Sequence, residues 1–429
     1  LYVKDNIKIL NVIKIAGAFI AFIIGSGFAT GQEIMQFFTS NGLFSLVSIL
    51  ISLILFVYFG STIISSGFDY GKYEVDLLLL EHMGDYYEEL PEEVNVKLYS
   101  LEPAFGSILP CIGRAIRKKD WFSLYFRILY VCGTKLNTCF MAQMKRLFKG
   151  LKTNYDILVA YRPGICTELA AFTFKADKKI SWWHHGEMNL SNYEINRLNN
   201  AYEKMNAIIA VSDSSAEMLI KYLSGVKEKI SVIPNMLDEG ELLKKKSQYE
   251  PVEFKNTELR LISVGRMSPE KNMKLCPEIG KYLKEMGIEF KWLIVGDGVD
   301  KQEVINKIRN YELEESMEVL GRKNNPYPYI ANADIMIHPS LVESQGITIM
   351  ESMALHTPVI AVRSKGPEEF IESGQNGYLV EVDANRIAKL IEDLYRDSKK
   401  RKILADNAVH TITQFKPDYI MQKIYTILS

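Results

Sequence analysis

No D-x-D triplet, no Cys-x-x-Cys pair, no internal repeat and no surplus of either charge occurs in these 429 residues. With 51 Lys and Arg against 52 Asp and Glu, the chain projects no global field toward nucleic acid. The five cysteines, Cys111, Cys132, Cys139, Cys166 and Cys276, are odd in number and widely spaced. They offer neither a disulfide framework nor a zinc site, and they suit a reducing cytoplasm. The first residue is Leu rather than Met, so a truncated N-terminus is expected. No signal peptide is expected, because the leading apolar stretch is too long and lacks a small-residue cleavage site.

The N-terminal fifth is rich in uncharged length. Ile15 to Gln32 carries no charge, and after Glu33 none returns until beyond Phe68. A membrane span needs about 20 mostly apolar residues. Two are expected: Ile13–Phe38, broken by Gly25-Ser26-Gly27-Phe28-Ala29-Thr30-Gly31, and Leu43–Ile64. Lys4, Lys8 and Lys14 precede the first and Lys72 follows the second, which places both ends in the cytoplasm. The string IAGAFIAFIIGSGFATGQEIMQFF resembles the opening of transporters of the amino-acid permease superfamily, which share the LeuT-type fold. Two helices build no alternating-access path, so residues 1–68 read as a transporter-like fragment with Glu33 and the Gly-Ser-Gly break as remnants.

From Lys72 the texture changes to short apolar runs alternating with amphipathic stretches, the pattern of an α/β parallel sheet. Strands are expected at Tyr73–Leu80, Val94–Tyr99, Asp156–Tyr161, Lys179–His184, Ala207–Val211 and Ile230–Ile233. After a polar linker, Glu239–Glu258, a second series is expected at Leu259–Val264, Phe290–Val295, Met317–Leu320, Ile335–His338, Pro358–Val362 and Gly377–Val380. The expected domains are 69–240 and 241–412, two Rossmann-like halves facing a cleft, with residues 413–429 crossing back to the first half.

The most specific string is Pro339-Ser340-Leu341-Val342-Glu343-Ser344-Gln345-Gly346-Ile347-Thr348-Ile349-Met350-Glu351. A helix starting near Gly346 would point the free amides of Ile347 and Thr348 at a diphosphate. Glu343 could accept hydrogen bonds from sugar hydroxyls and Glu351 from ribose hydroxyls. Carboxylates at this spacing also arise as a helix cap and a surface Glu. The neighbouring string Gly265-Arg266-Met267-Ser268-Pro269-Glu270-Lys271 adds a glycine for close backbone approach and two cations for a departing diphosphate. Val295-Gly296-Asp297-Gly298 reads as a structural strand-end turn, and Arg322 follows another strand where a nucleobase edge could be read. In the first half, Trp182-Trp183-His184-His185-Gly186-Glu187 ends a strand, and Ser212 ends the next; a histidine there could hydrogen-bond a donor sugar or phosphate.

Together these strings resemble glycosyltransferase family 4, retaining enzymes of the GT-B fold, from about Tyr70 to the end. The resemblance matches S-x-x-E-x-x-G-x-x-x-x-E to Ser340, Glu343, Gly346 and Glu351, and G-R-x-x-x-x-K to Gly265, Arg266 and Lys271. It implies that Gly265, Arg266, Lys271, Arg322, Glu343, Gln345, Gly346, Ile347, Thr348 and Glu351 bind the donor. The cleft histidine aligns with His185, with His184 as fallback, so His185, Glu343, Arg266 and Lys271 form the catalytic set. The donor implied is a nucleotide diphosphate sugar, a UDP-sugar first, with no metal; the acceptor is a glycan or a lipid-linked sugar at the cytoplasmic membrane. Other readings are a membrane-tethered nucleotide-binding chimera without transferase activity, and a transporter fragment.

The family pattern begins with a strand and a Gly-rich loop that this sequence lacks before Tyr73, so the first sheet is expected to be missing a strand, with Leu53–Val57 as a possible substitute and Phe59–Lys72 as its crossover. A natural fusion or a joining of two reading frames would account for the switch. Pro103–Lys152 holds ten Lys and Arg with Asp120 as its one acid, interleaved with Trp121, Phe122, Tyr125, Phe126 and Phe148. Such a surface could rest on anionic headgroups or be a solvated helix face.

Overall fold

The computed structural model describes residues 19–21, 75–80, 94–99, 108–135, 154–185, 192–255 and 257–428, with positions 90, 148 and 151. The chain forms two compact units. Of the described residues, one gathers those up to Val211 with Ser215–Ile233 and those from Ile424 on; the other holds Ser212–Ser214 and those from Pro234 to Lys423.

The first unit contains β1 (Phe19–Ala21), β2 (Asp76–Leu79), β3 (Asn95–Leu98), β4 (Asn154–Ala160), β5 (Lys175–Trp183), β6 (Ala207–Ala210) and β7 (Ile230–Val232). They pair in parallel as β1-β2-β3 and β4-β5-β6-β7, and β1 also lies against β4. Here the structure corrects the expectation of a first transmembrane span: Phe19–Ala21, inside it, is a strand with Phe19 opposite Leu77. Parallel strands buried on both faces and membrane helices read alike as unbroken apolar runs, so periodicity alone does not separate them. Among the described residues no helix is long and apolar enough to cross a membrane. The rest of Ile13–Phe38 with Glu33, the span Leu43–Ile64, the substitute strand Leu53–Val57 and the crossover Phe59–Lys72 lie outside the described residues. β1 also supplies a strand ahead of β2, at a place other than the substitute expected at Leu53–Val57.

The second unit contains β8 (Arg260–Val264), β9 (Lys291–Val295), β10 (Met317–Gly321), β11 (Ile335–His338), β12 (Val359–Val362) and β13 (Tyr378–Val380). All pair in parallel, in the order β10-β9-β8-β11-β12-β13. Alternate residues feed two cores: Ile262, Val264, Leu293, Val295 and Met336 on one face, and Leu261, Trp292, Ile294, Ile335 and Ile337 on the other. Burial on both faces explains why these strands read as mostly apolar runs. The supposed linker is not irregular: Glu239–Lys246 is a helix capped by Asp238, whose carboxylate accepts from the Glu241 amide at 3.0 Å. Its acids sit in the first turn and Lys244, Lys245 and Lys246 in the last, which suits the helix dipole. The final helix, Pro417–Leu428, starts in the second unit and ends in the first, where the Lys178 ammonium donates to the Ile427 carbonyl at 2.7 Å.

Candidate functional site

In the second sheet the strand order turns back between β8 and β11, which are adjacent. Ligands of such sheets bind beyond the carboxyl ends of the strands at this switch point. The two motif-bearing loops leave the sheet there, one after Val264 and one after His338.

The loop after β8 is fixed by backbone packing. A Cβ on Gly296 would stand 1.8 Å from the Gly265 carbonyl oxygen, and one on Gly298 2.4 Å from that of Met267. The Gly265 amide donates to Val295 O at 3.0 Å and the Met267 amide to Asp297 O at 2.9 Å. Gly296 and Gly298 are therefore structural, and they hold the Arg266–Lys271 segment in place. Its far end is tied to the β11 loop: the Leu341 amide and the Ser340 hydroxyl both donate to Glu270 O, at 2.8 and 3.2 Å.

That bracing brings Lys271 onto Glu343. The Lys271 ammonium lies 2.5 Å from Glu343 Oε1, and His338 Nε2 lies 2.7 Å from the same oxygen. The Glu343 side chain is 9% exposed. Burial pushes its carboxyl upward, but the Lys271 charge and the His338 bond outweigh burial and hold it well below the usual carboxylate range. A permanent carboxylate thus faces a lysine that is 21% exposed and can turn to another anion. Half-buried Arg266 carries its charge nearby: burial lowers its pKa, and the charges of Glu270 and Glu343 oppose that shift.

Gly346 caps the helix Ile347–Ala354 with φ 88° and ψ 58°, a left-handed conformation that favours glycine. Its first amides, on Ile347 and Thr348, belong to the turn that has no carbonyl partners within the helix. Gln345 is buried; its Oε1 accepts from the Asn235 amide at 2.9 Å and from Asn235 Nδ2 at 2.7 Å. Beneath the same loop, a Cβ on Gly366 would lie 2.6 Å from Ser344 backbone atoms. Glu351, on this helix, is 5% exposed and accepts from the Tyr327 hydroxyl at 2.9 Å. Burial raises its pKa to about 7, against the Tyr327 bond and the Lys245 charge. Arg322 is half-buried just past β10, five residues before Tyr327.

The structure therefore gathers Gly265, Arg266, Lys271, Ser340 and Glu343 through direct bonds and charge. Gln345 to Thr348 follow on the same loop, and Glu351 is turned toward Tyr327. Four partners escaped the sequence reading: His338, Asn235, Tyr327 and Gly366. His338 alone gave a signal, as the last strand residue before Pro339; the others come from distant segments.

In the first unit, His184 and His185 follow β5. The His184 ring lies 4.5 Å from that of Tyr161, and the Trp183 indole donates to His185 O at 3.0 Å. His185 is half-buried by surface yet desolvated: burial, with the Arg162 charge, pushes its pKa down to about 3. Its imidazole is neutral at physiological pH, a donor and acceptor rather than a cation. Ser212, just beyond β6 and counted with the second unit, is buried with its hydroxyl 3.1 Å from that of Ser214. Gly186 and Glu187 lie outside the described residues.

Residues 244–411 match the family described as Glycosyl transferases group 1, and residues 72–241 match Glycosyltransferase Family 4. Among curated proteins, the chain is 30% identical over 178 residues to the amylovoran biosynthesis glycosyltransferase AmsD of Erwinia amylovora, covering 41% of this chain and 50% of that protein. It is also 30% identical over 209 residues to a Campylobacter jejuni N-acetylgalactosaminyltransferase acting on a diphospho-undecaprenol glycan, covering 48% and 55%. The chain thus spans about half the length of the curated relatives it matches. Its fold resembles Anabaena HepE, solved with UDP and glucose, with TM-score 0.61 at 20% identity over 82% of this chain and 91% of that one. It also resembles a sucrose-phosphate synthase from Thermosynechococcus elongatus, with TM-score 0.64 at 16% identity over 87% and 92%. These matches support a GT-B-like α/β glycosyltransferase. They do not extend to the transporter-like reading of the N-terminus, since the family matches begin at residue 72.

Proposed function

We propose that this chain transfers a sugar, with retention of configuration, from a nucleotide diphosphate sugar to a glycan or lipid-linked acceptor in surface polysaccharide synthesis. The observation that carries this reading is the braced pair of loops at the β8–β11 switch point, where Lys271, Arg266 and the helix at Ile347 present positive charge beside the carboxylate of Glu343. A UDP-sugar is the donor we assign first, in line with the UDP held by HepE.

In this reading the acceptor oxygen bonds to the anomeric carbon on the face the diphosphate leaves. The bond from that carbon to the phosphate oxygen breaks, its electron pair goes to the diphosphate, and the acceptor proton passes to the leaving phosphate. Arg266 and Lys271 neutralise the charge that develops, as fixed cations outperform water at this task. The diphosphate draws Lys271 away from Glu343, which then accepts from sugar hydroxyls while His338 keeps it ionised. Glu351 accepts from the ribose, Arg322 lies toward the base, and His185 supplies a neutral hydrogen bond to the sugar or phosphate. No divalent cation takes part, and the lipid-linked acceptor places the work at the cytoplasmic membrane face.

Calorimetric titration with UDP beside a UDP-sugar turnover assay tests this. Binding and turnover are expected with and without EDTA, and Lys271→Ala and Glu351→Ala should both sharply reduce turnover. Full activity in both variants would refute the assigned site. Nucleotide binding without turnover in the parent chain would leave a binding module in place of an enzyme.

A further inference from the structure

The helix Trp121–Lys135 buries Ser123, Phe126 and Arg127 on its inner side, with Phe126 in the core of the first unit. Its opposite stripe is apolar too: Trp121 is 64% exposed, Tyr125 41% and Ile128 46%. The spacing i, i+4, i+7 puts these three on one face. The preceding helix, Ile108–Lys118, packs against this one and adds Ile116, 52% exposed. Around the turn joining them Arg114, Arg117, Lys118 and Lys119 are exposed as well. Residues 108–135 hold six Lys and Arg against Asp120 alone, whose carboxylate accepts the Ser123 amide at 3.0 Å. In a chain with 51 basic and 52 acidic side chains, this local excess is a strong asymmetry.

A helix with an apolar stripe on its outer side, beside the residues it already buries, wants a partner there. The partner here must accept aromatic and aliphatic wedges and present negative charge beside them. An anionic bilayer does both: indole and phenol rings sit at the headgroup level, and lysines and arginines beside them meet lipid phosphates. We propose that the Trp121–Tyr125–Ile128 stripe, flanked by Arg114, Arg117, Lys118 and Lys119, docks the first unit onto an anionic lipid surface. Its purpose rests on the reading of a lipid-linked acceptor; its chemistry does not.

Tryptophan fluorescence reads this stripe directly, because Trp182, Trp183 and Trp292 are buried and Trp121 is the exposed one. The full chain is mixed with vesicles of phosphatidylglycerol or phosphatidylcholine whose acyl chains carry bromine, a short-range quencher. The expected result is quenching by the anionic vesicles and little by the zwitterionic ones. Trp121→Phe should abolish the quenched component. Arg117→Glu with Lys118→Glu should weaken anionic vesicle binding by about 25-fold or more, at about fivefold per basic residue lost. Reading Trp121 itself matters, since the apolar stretch before residue 68 could hold the chain on vesicles of either kind. Equal quenching by both lipids, quenching that survives Trp121→Phe, or concentration-dependent self-association through this stripe would each overturn the proposal. UDP titration of the same samples separates the two readings. If UDP binds while Trp121 stays dry, the lipid surface alone falls; if Trp121 is quenched without UDP binding, the transferase reading falls.

Discussion

Beyond β8 and β11 the side chains are bound across loops, Lys271 and His338 to Glu343, the Ser340 hydroxyl to the Glu270 carbonyl, Gln345 to Asn235, Glu351 to Tyr327. Beyond β5, by contrast, the His184 ring lies against that of Tyr161 and the His185 ring against that of Trp183, whose indole donates to the His185 carbonyl. One unit fixes charge by charge; the other fixes a neutral ring by packing. Groups that must meet a diphosphate need preset ions, whereas a group that hydrogen-bonds a sugar needs a fixed direction and no charge.

That contrast is tested most severely by removing one group from each side. Lys271→Ala is expected to cut donor turnover by about 10²–10³-fold, the usual loss when a fixed donor to developing charge is removed. His185→Ala should cost about tenfold, near the worth of one neutral hydrogen bond. Steady-state turnover of a UDP-sugar in both variants measures the gap. Equal losses would mean that the two units do not divide the work as argued.

A smaller effect addresses the scaffold under the loop. Gly366→Ala forces a methyl group into Ser344 and Gln345 backbone, which cannot swing aside as a flexible side chain would. Overpacking of this kind costs about 1–3 kcal/mol. Urea unfolding should show that loss, and UDP affinity should fall with it. Unchanged affinity would show that the loop from Glu343 to Gly346 is not held from below.

Glu351 gives two signs to check. As a group with its folded pKa raised to about 7, it contributes stability that is full below the ordinary carboxylate pKa and is lost as pH rises through about 7. If it accepts ribose hydroxyls as a carboxylate, UDP affinity should instead climb with pH up to about 7, by at most tenfold per unit. Glu351→Gln should flatten both curves. Calorimetric titrations from pH 5.5 to 8 decide the affinity arm, and a pH-independent affinity in the parent chain would remove Glu351 from the nucleotide contacts.

Much of this was legible in the chain itself. The six strands of the second sheet are short, mostly apolar runs, four of them ending in Gly or His-Pro, and the structure places each within about two residues of its expected bounds. Motif spacing also indicated Lys271 and Glu343 as partners in one task. What stayed hidden has physical causes. The helix Glu239–Lys246 carries little apolar surface, so its polarity read as linker. The strand Phe19–Ala21 lies in a run whose composition a bilayer would also select. Asn235, Tyr327 and Gly366 act through contacts from 24 to 110 positions away, or through a backbone approach that no spacing rule encodes.

The smallest expected effect concerns His185, and it isolates the neutral half of the comparison. In the unfolded chain a histidine titrates near 6.5, whereas here burial and Arg162 bring the folded value down to about 3. Between those values the unfolded state takes up a proton that the folded state refuses. The stability contribution is therefore complete above about pH 6.5 and declines as pH falls toward 3. His185→Gln keeps a neutral polar side chain and removes this titration. Its melting temperature should depend less on pH between 7.5 and 5 than that of the parent, by about 2–4 °C if the difference reaches about 1 kcal/mol. The same acid slope in both proteins would mean that the ring is solvated and charged in the folded chain. It would then be a second cation beside Arg162, and the first unit would resemble the second in the one respect that divides them here.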